Sequence, residues 1–347
     1  MNNFIATFLS LVSFFAPSNL EGTTASVAPI HSISINNVTS IEMDILRDDN
    51  FKYFLTAYAI IEDNYKKAGT FNRVKMMIGA LRGALLFGSG DVYADFILHD
   101  DFTGYCRSLF DGVRVESSGK IIEDMVVSWK PLKGRIAYIK ISKFRYVAIK
   151  QFDNVVINLT KFKPRGLIID LRDNGGGAMD IVQDMLYYLV DPSQSIHHVE
   201  EWQGNNYNVY PTECRGYRRE NKLVSSKGFE FLRKVPIVVL MNKNTASISE
   251  VFIGALQDLR GAKLVGCKSY GKGIFQTFVF CKFGVMKMTS ARWFAPRGAS
   301  IHGKGFEPDY KIDDTRGKRG DNSSDAQLSK AKGVLRLRLV KKSNGGK

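Results

Sequence analysis

Two polar side chains, Ser247 and Lys272, lie next to apolar strands and could together cleave an ester or amide bond. Ser247 follows the apolar run 235–241 and opens an amphipathic stretch, so amides of a helix N-terminus would face charge that develops beside its hydroxyl. Lys272 lies between two glycines just before a strand, in SYGKGIFQ. A lysine desolvated in such a turn loses its charged form and becomes a base near neutral pH. Serine–lysine pairs are one variant of the nucleophile-plus-base arrangement.

Both residues also have an ordinary structural explanation. Serine is a common N-cap, so Ser247 or Ser249 could simply cap the helix, and most lysines are solvated surface charges. Histidine is the usual base for a serine nucleophile, but none of the five histidines has neighbours in the sequence that mark it as catalytic. At this point the residues leave catalysis and capping both open.

A second feature is the run GLIIDLRDNGGG at 166–177, in which an apolar strand leads into three glycines and then into a helix. Glycine adopts backbone torsions barred to other residues and leaves amide groups open to approach. Such amides can stabilise an anion, either a phosphate or the oxyanion of acyl transfer. The run lacks the lysine of a Walker motif and the spacing of a dinucleotide-binding loop. A tight turn without a ligand is the alternative interpretation.

These segments, in this order, resemble the C-terminal processing peptidases, also called tail-specific proteases. That family carries a D-L-R-x-N-x-G-G segment, a serine-rich helix start, a G-K-G-x-x-Q segment and a final run that ends in G-K-G-x-E-P-D. Five motifs match in order over roughly 134–310. The matching residues are Asp170, Leu171, Arg172, Asn174, Gly176 and Gly177; Thr245 to Glu250 together with Ala255 to Asp258 at the two ends of one predicted helix; Gly271, Lys272, Gly273 and Gln276; Thr289, Ala291, Arg292, Pro296 and Gly298; and Gly303, Lys304, Gly305, Glu307, Pro308 and Asp309.

The resemblance implies a serine endopeptidase that hydrolyses peptide bonds through an acyl-enzyme. In the family the nucleophile precedes the lysine by 25 positions, which selects the first of the two serines, Ser247. Lys272 would be the general base, and Gln276 would hold the lysine by hydrogen bonding. The main-chain amides of Gly176 and Ile248 would form the oxyanion hole. The resemblance implies neither a metal nor any other cofactor.

The elements that must position these residues alternate between strand and helix, which is typical of an α/β layer with functional loops at strand ends. The resemblance implies a ClpP/crotonase-like catalytic core at 134–312. Apolar residues three and four apart within 40–111 predict a small helical N-terminal subdomain, with helices at 51–67, 73–87 and 100–110. The predicted core strands lie at 135–141, 166–171, 236–241, 263–267, 277–282 and 285–291, and the predicted core helices at 179–189 and 247–259.

One departure from the family lies between these two parts. A PDZ module, which recognises substrate C-termini in the family, needs about 80 to 90 residues to build a core of its own. Residues 112–133 are expected to form only a short connector, so the sequence predicts a PDZ-less variant. Substrate could instead pair as an added strand near the site, with selection by an adaptor, by unfolding or by the helical segment.

The start of the chain bears on location. Residues 4–15 form an apolar run that is shorter than the roughly 20 residues needed to span a bilayer but suits the core of a secretory signal. Small residues at 24–28 could supply a cleavage site, so residues 1–28 are expected to be a signal peptide of a protein exported to the periplasm, the cell envelope or the medium. The first residues carry no positive charge, which leaves a buried element in a cytoplasmic protein as the alternative.

The charge of +15, from 49 basic and 34 acidic residues, first suggests a nucleic-acid partner. Residues 311–347 hold 11 of the basic and 4 of the acidic residues, so nearly half of the excess lies in this last part of the chain. A basic C-terminal tail is expected at 313–347. Within that tail, 325–340 could form a helix or a strand. The charge is therefore interpreted first as a property of a solvated tail and of the protein surface, which could also contact an anionic membrane surface, and a nucleic-acid partner is not expected. The four scattered cysteines indicate neither a disulfide framework nor a zinc knuckle.

Two other functions stay open, and so does the identity of the partners. A non-catalytic peptide- or lipid-binding protein could reuse the same fold, since fold alone does not determine function. A nucleic-acid-associated protein would bind with an affinity that falls steeply with salt. Protein or peptide substrates are the expected partners, and an adaptor, an activator or a second copy of the chain could join them.

Overall fold

A computed structural model of the chain describes residues 56–57, 59–61, 72–85, 90–98, 101–102, 113–115, 121–203, 206–213, 228–281, 284–314 and 325–344. The predicted signal peptide at 1–28 and most of the predicted helices at 51–67 and 100–110 lie outside the described residues. Among the helices that are described, none is both long and apolar enough to cross a bilayer. The chain divides into an N-terminal unit, Met1–Thr103 with Gln276–Thr289, and a core unit, Gly104–Phe275 with Ser290–Lys347.

The helices and strands follow one another along both units. The α-helices are α1 (Arg73–Gly83), α2 (Tyr146–Phe162), α3 (Met179–Leu186), α4 (Ile248–Arg260) and α5 (Ala326–Asn344), and Glu230–Arg233 is a 3₁₀ helix. The strands are β1 (Asp95–Leu98), β2 (Val113–Val115), β3 (Ile121–Glu123), β4 (Val127–Leu132), β5 (Ile136–Ile141), β6 (Gly166–Asp170), β7 (Ser195–Gln203), β8 (Asn206–Glu213), β9 (Ile237–Met241), β10 (Lys263–Gly266), β11 (Ile274–Cys281), β12 (Gly284–Phe294) and β13 (Tyr310–Lys311).

The N-terminal unit contains α1 and β1. The side chain of Asn72 caps α1 by accepting from the amide of Lys75 at 3.0 Å. Buried Phe96 of β1 packs against Met77 and Leu81 of the helix, which are four positions apart and share one face. β1 pairs antiparallel with residues 284–287 of β12. The helix predicted at 73–87 is therefore confirmed over most of its length, whereas the strand β1 was not predicted.

A six-stranded sheet in the order β13-β10-β9-β6-β5-β4 forms the centre of the core unit. All neighbouring pairs are parallel except β5 and β4. β6 and β9 are buried at every residue, as expected of parallel strands covered on both faces. These two strands are the apolar runs GLIID and IVVLM, and the predicted α/β core is confirmed.

Alternate residues of the sheet point to opposite layers of helices. Ile168 and Val238 pack on the face covered by α5, whereas Ile169 and Val239 pack on the face covered by α2, α3 and α4. The helix α5 lies within the predicted basic tail and takes the helical option that the sequence left open for 325–340. It contributes Ala331, Val334 and Leu335 to the core.

Three loops leave the carboxyl ends of neighbouring parallel strands. They follow β6, β9 and β10 and comprise residues 171–177, 242–247 and 267–273. Because the carboxyl ends of parallel neighbours meet at one edge of a sheet, the loops lie together at that edge. These loops, with the first residue of α4, hold every predicted site residue except Gln276.

Candidate functional site

Ser247 ends the loop after β9 in a strained conformation. Its φ of 57° and ψ of −124° lie in a region that residues other than glycine rarely occupy. Such a conformation costs about 1–3 kcal/mol and persists only where surrounding contacts hold it. One contact is the amide of Ala246, which donates to the carbonyl oxygen of Asn174 at 3.1 Å, and another is Thr245, whose hydroxyl donates to the carbonyl oxygen of Leu171 at 2.9 Å.

The structure distinguishes the two candidate serines. Ser249 is fully buried, and its hydroxyl donates to the carbonyl oxygen of Asn174 at 2.9 Å. Ser247 is only partly buried and lies directly before the first turn of α4. Ser249 therefore joins two loops within the protein, and Ser247 is the serine that stays partly exposed.

The glycine loop lies against Ser247. The side chain of Asn174 spans the loop, because its Nδ2 donates to the carbonyl oxygen of Ile141 and its Oδ1 accepts from the amide of Gly176, both at 3.0 Å. Gly176 has a φ of 106°, and a Cβ at this residue would lie 3.1 Å from both Ser247 Cβ and Ile248 N. Any other residue here would have a strained backbone and would require Ser247, Ile248 or Ala246 to shift.

Both predicted oxyanion donors, Gly176 and Ile248, thus lie beside Ser247. Ile248 is the first helical residue of α4, so its amide has no acceptor within the helix. The amide of Gly176 donates to Asn174 Oδ1 in this structure. An anion at this position would meet the Ile248 amide, which has no acceptor within the helix, and would share the Gly176 amide with Asn174 Oδ1.

The loop that carries Lys272 is held by its backbone. The amide of Lys272 donates to Glu250 Oε2 at 2.9 Å, and its carbonyl oxygen accepts from Trp293 Nε1 at 3.2 Å. Gly271, with a φ of 91°, packs so closely that a Cβ would lie 2.7 Å from the amide nitrogen of Gly305. The lysine side chain is partly buried.

Glu250 joins the two loops and was not among the predicted site residues. Its fully buried carboxylate accepts four hydrogen bonds, from Ser247 N at 2.8 Å, Ser269 Oγ at 2.6 Å, Gly271 N at 2.7 Å and Lys272 N at 2.9 Å. We call these five residues the Glu250 cluster. Ser247 N and Lys272 N share one oxygen atom, Oε2, so two backbones that are 25 positions apart in sequence lie side by side.

The electrostatics of the Glu250 cluster depend on burial. Burial raises the pKa of Glu250, and the hydrogen bonds donated by Ser269, Lys272, Gly271 and Ser247 oppose the rise only in part. The S-x-x-E spacing of a capping box could have pointed to this residue. It does not show that the same carboxylate also binds the lysine loop.

Gln276 belongs to the N-terminal unit. Its side-chain amide donates to the carbonyl oxygen of Tyr93 at 2.6 Å. The hydrogen bond that would hold Lys272 stays a prediction.

The buried histidine His197 has no sign of catalytic use. It is 1% exposed, lies beside the ring of Phe275, and its Nδ1 finds no hydrogen-bond partner among the described residues. Burial, with a smaller contribution from His198, lowers the pKa of His197 to about 4, so the ring is neutral at pH 7. Within the part of the chain that the structure describes, no group of three or more His, Cys, Asp or Glu residues could hold a metal ion.

Comparison with known proteins identifies relatives of the core unit. The family model described as Peptidase family S41 matches residues 135–312. A "Probable CtpA-like serine protease" of Staphylococcus epidermidis is 30% identical over 218 residues, which are 61% of this chain and 42% of that protein. A protein of the same name from Staphylococcus haemolyticus is 33% identical over 181 residues, 52% of this chain and 34% of that protein. The chain therefore spans less than half of the length of these relatives.

One solved structure shares the fold over most of the chain. It is that of a lipoprotein from Streptococcus agalactiae, with a TM-score of 0.57 and 18% identity. The match covers 79% of this chain and 85% of that one. At this identity the likeness concerns the fold alone.

Proposed function

The chain belongs to peptidase family S41, and on that premise we propose that it is a serine endopeptidase with a Ser247–Lys272 dyad. One observation carries the proposal: a buried carboxylate, Glu250, binds the backbone amides of both residues and holds them side by side. The strained backbone of Ser247 supports it, since strain of this kind collects at functional sites. The ordinary alternative, a serine that only caps α4, does not explain why the lysine loop is tied to the same carboxylate.

The reaction we propose is acyl transfer to Ser247. The neutral amine of Lys272 takes the proton of Ser247 Oγ as the oxygen attacks the carbonyl carbon of a peptide bond. The tetrahedral intermediate collapses, the C–N bond breaks, and the lysine ammonium gives its proton to the departing amine. Water then attacks the acyl-enzyme as the lysine amine takes one of its protons. The ester bond to Ser247 breaks while the lysine ammonium returns that proton to Ser247 Oγ, which releases the acid product and restores the neutral amine.

The oxyanion of each tetrahedral intermediate would be stabilised by amides of Ile248 and Gly176. Ile248 N lies at the positive end of the α4 dipole, which favours negative charge there. Gly176 N would divide its hydrogen bond between Asn174 Oδ1 and the oxyanion. Loss of one donor in such a site typically costs about 100- to 1000-fold in rate.

We propose that the substrates are proteins or peptides. We also propose that this protein is exported and acts outside the cytoplasm. The location rests on the sequence of residues 1–28, and contacts with an adaptor, a second copy or a membrane surface also remain proposals. None of the residues assigned to the reaction calls for a nucleic acid or a cofactor.

The test is cleavage of an unfolded protein such as casein by the full chain. We expect the unaltered protein to cleave it, and Ser247→Ala and Lys272→Arg to be inactive, because arginine stays protonated and cannot act as a base. Lys268→Arg is the matched control, since Lys268 is exposed, lies four positions from Lys272, and forms an ion pair with the exposed carboxylate of Glu307. Equal cleavage by Ser247→Ala would exclude this serine as nucleophile. If neither the unaltered protein nor Ser247→Ala cleaves casein, the result favours the alternative function, a non-catalytic peptide- or lipid-binding protein.

A further inference from the structure

A buried ion cluster lies beneath the glycine loop. Arg172 is 2% exposed, and its Nε and Nη2 donate to the two oxygens of Asp170 at 2.9 and 2.6 Å. Its Nη1 and Nη2 donate to the two oxygens of Asp325, each at 2.8 Å, and Nη1 also donates to Gln327 Oε1 at 3.1 Å. Asp170 in turn accepts from the hydroxyl of Tyr138 at 2.6 Å. We call these five residues the Arg172 cluster.

The cluster connects the glycine loop to α5. Arg172 is the second residue of the loop 171–177, and Asp325 lies directly before α5. Asp325 also caps this helix, because its Oδ1 accepts from the amide of Leu328 at 2.9 Å. One carboxylate therefore fixes both the start of α5 and the guanidinium at the base of the loop.

A second contact comes from the segment that precedes α5. Asn242 Nδ2 donates to Asp314 Oδ2 at 3.0 Å and to Asp173 Oδ1 at 2.8 Å. Asp173 has a positive φ of 64°, a conformation that needs support from its surroundings. The C-terminal segment thus contacts the glycine loop directly at Arg172 and is linked to Asp173 through Asn242 of the neighbouring loop.

These C-terminal partners lie outside the region that the family model matches, which ends at residue 312. Within the matched region Arg172 has the carboxylate of Asp170 but lacks its bidentate partner Asp325. Burying an arginine is costly unless its donors are paired. The loop that presents Gly176 is therefore completed by residues beyond the family core.

We propose that α5 is a positioning element of the active site, in which Asp325 and Gln327 hold Arg172 and thereby fix the loop that aims the Gly176 amide at the substrate carbonyl. The catalytic part of this inference rests on the proposed function, whereas the restraint on the loop does not. Asp325 contacts no substrate and acts through Arg172, so it is a positioning residue.

The test compares Asp325→Asn with Arg336→Ala in the full chain. Asparagine is as good an N-cap as aspartate, so Asp325→Asn keeps the cap but puts an NH₂ group against the guanidinium donors. Arg336 lies on the exposed face of the same helix and controls for changes in α5. Two quantities are measured: the amide hydrogen exchange of residues 173–177 relative to Val239 in β9, and kcat and KM for an oligopeptide substrate.

For Asp325→Asn we expect exchange in the loop to quicken by at least about 10-fold while Val239 stays protected. We expect kcat to fall roughly 10- to 100-fold with KM unchanged, since small displacements of a positioned group have effects of this size. Arg336→Ala should match the unaltered protein in both measurements. Asp325→Glu, which keeps a carboxylate, should recover part of the lost kcat.

Unchanged exchange in the loop would overturn the proposal whatever the activity. Faster exchange with an unchanged kcat would also overturn it, because α5 would then be a structural element only. If the unaltered protein cleaves nothing while Asp325→Asn still loosens the loop, the proposed function fails and the restraint stands. If amide exchange at Val239 also quickens in Asp325→Asn, the milder variant Gln327→Leu is tested in its place. The same outcomes then support or overturn the proposal.

Discussion

Two buried carboxylate clusters on the same edge of the sheet are satisfied in opposite ways. In the Glu250 cluster a carboxylate accepts from three backbone amides and one hydroxyl. In the Arg172 cluster two carboxylates accept from a guanidinium. Neutral donors fix the backbone of two loops without placing a permanent cation beside the serine. A guanidinium instead joins elements that lie 153 positions apart.

The two clusters differ in how far their partners offset the effect of burial on the pKa of the central charged group. Burial raises the pKa of Glu250 because the neutral donors offset desolvation only in part. For Arg172 burial acts to lower the pKa, but the hydrogen bonds and charges of Asp170 and Asp325 outweigh it and raise the pKa. The Glu250 cluster is therefore sensitive to loss of a carboxylate oxygen that accepts hydrogen bonds. The Arg172 cluster is sensitive to loss of one of its charged groups.

Arg172→Met should have the largest effect on stability. It removes the only cation of the Arg172 cluster and leaves the carboxylates of Asp170 and Asp325 facing each other. Breaking a buried pair by removal of one partner costs about 3–5 kcal/mol in the free energy of unfolding. Urea unfolding measures this loss, and Arg336→Ala is the control, with an expected change below about 0.5 kcal/mol. A loss below 1 kcal/mol for Arg172→Met would mean that the cluster adds little to stability.

Glu250→Gln should break the other cluster mainly through activity. Glutamine has one acceptor oxygen where glutamate has two, so two of the four donors lose their acceptor, each at about 1–3 kcal/mol. With the serine and lysine backbones released, we expect kcat to fall about 100- to 1000-fold, as for loss of an oxyanion donor. Glu307→Gln, at an exposed carboxylate that pairs with Lys268, should leave kcat unchanged. A fully active Glu250→Gln would contradict the role given to this carboxylate.

His197 extends the comparison to a buried ring whose Nδ1 finds no hydrogen-bond partner among the described residues. Its folded-state pKa of about 4 lies below the ordinary 6.5, so only the unfolded chain binds a proton between these values. Stability should therefore fall by about 3 kcal/mol as the pH falls from 6.5 to 4, at 1.36 kcal/mol per pKa unit. Unfolding of the unaltered protein and of His197→Met across this range measures the difference. Parallel pH profiles for the two proteins would show that His197 is protonated in the folded state.

Ser249→Ala should have the smallest effect and sharpens the distinction between the two serines. It removes one hydrogen bond to Asn174 O, which keeps the amide of Ala246 as a donor. We expect a loss of about 1 kcal/mol in the free energy of unfolding and retained cleavage. Ser247→Ala should give the reverse, with stability nearly unchanged and cleavage lost. Loss of cleavage in Ser249→Ala alone would reverse the assignment.

The sequence predicted the central strands of the core better than some of the elements that pack around them. The run that became β9 is apolar at every position, and the run that became β6 is apolar up to its last residue, Asp170. This pattern predicts a strand buried on both faces. The helix α2 was not predicted, because its many valines and isoleucines also suit strands; it is helical since Ala148, Phe152 and Leu159 fall on one buried face. β1 was not predicted either, because its partner β12 lies almost 190 positions later.

The residues of the candidate site also separate into those that the sequence predicted and those that it did not. Motif order and spacing identified Ser247, Lys272 and the glycine loop, since the chemistry of each depends on residue type and local turn. Glu250 and Asp325 escaped prediction because their roles depend on partners in other loops. Whether a carboxylate is solvated, neutralised by a cation or satisfied by amides is decided by what folding packs against it.

The amino-acid sequence by itself determined the α/β core, the family resemblance and the residues able to form a serine–lysine dyad. These follow from short-range pattern: apolar runs, turn glycines and the 25 positions between Ser247 and Lys272. Only the tertiary structure decided that Ser247 rather than Ser249 is accessible, that Glu250 joins the two loops, and that α5 supports the glycine loop. The reason is physical, because burial and hydrogen bonding between distant residues arise only when the chain is folded.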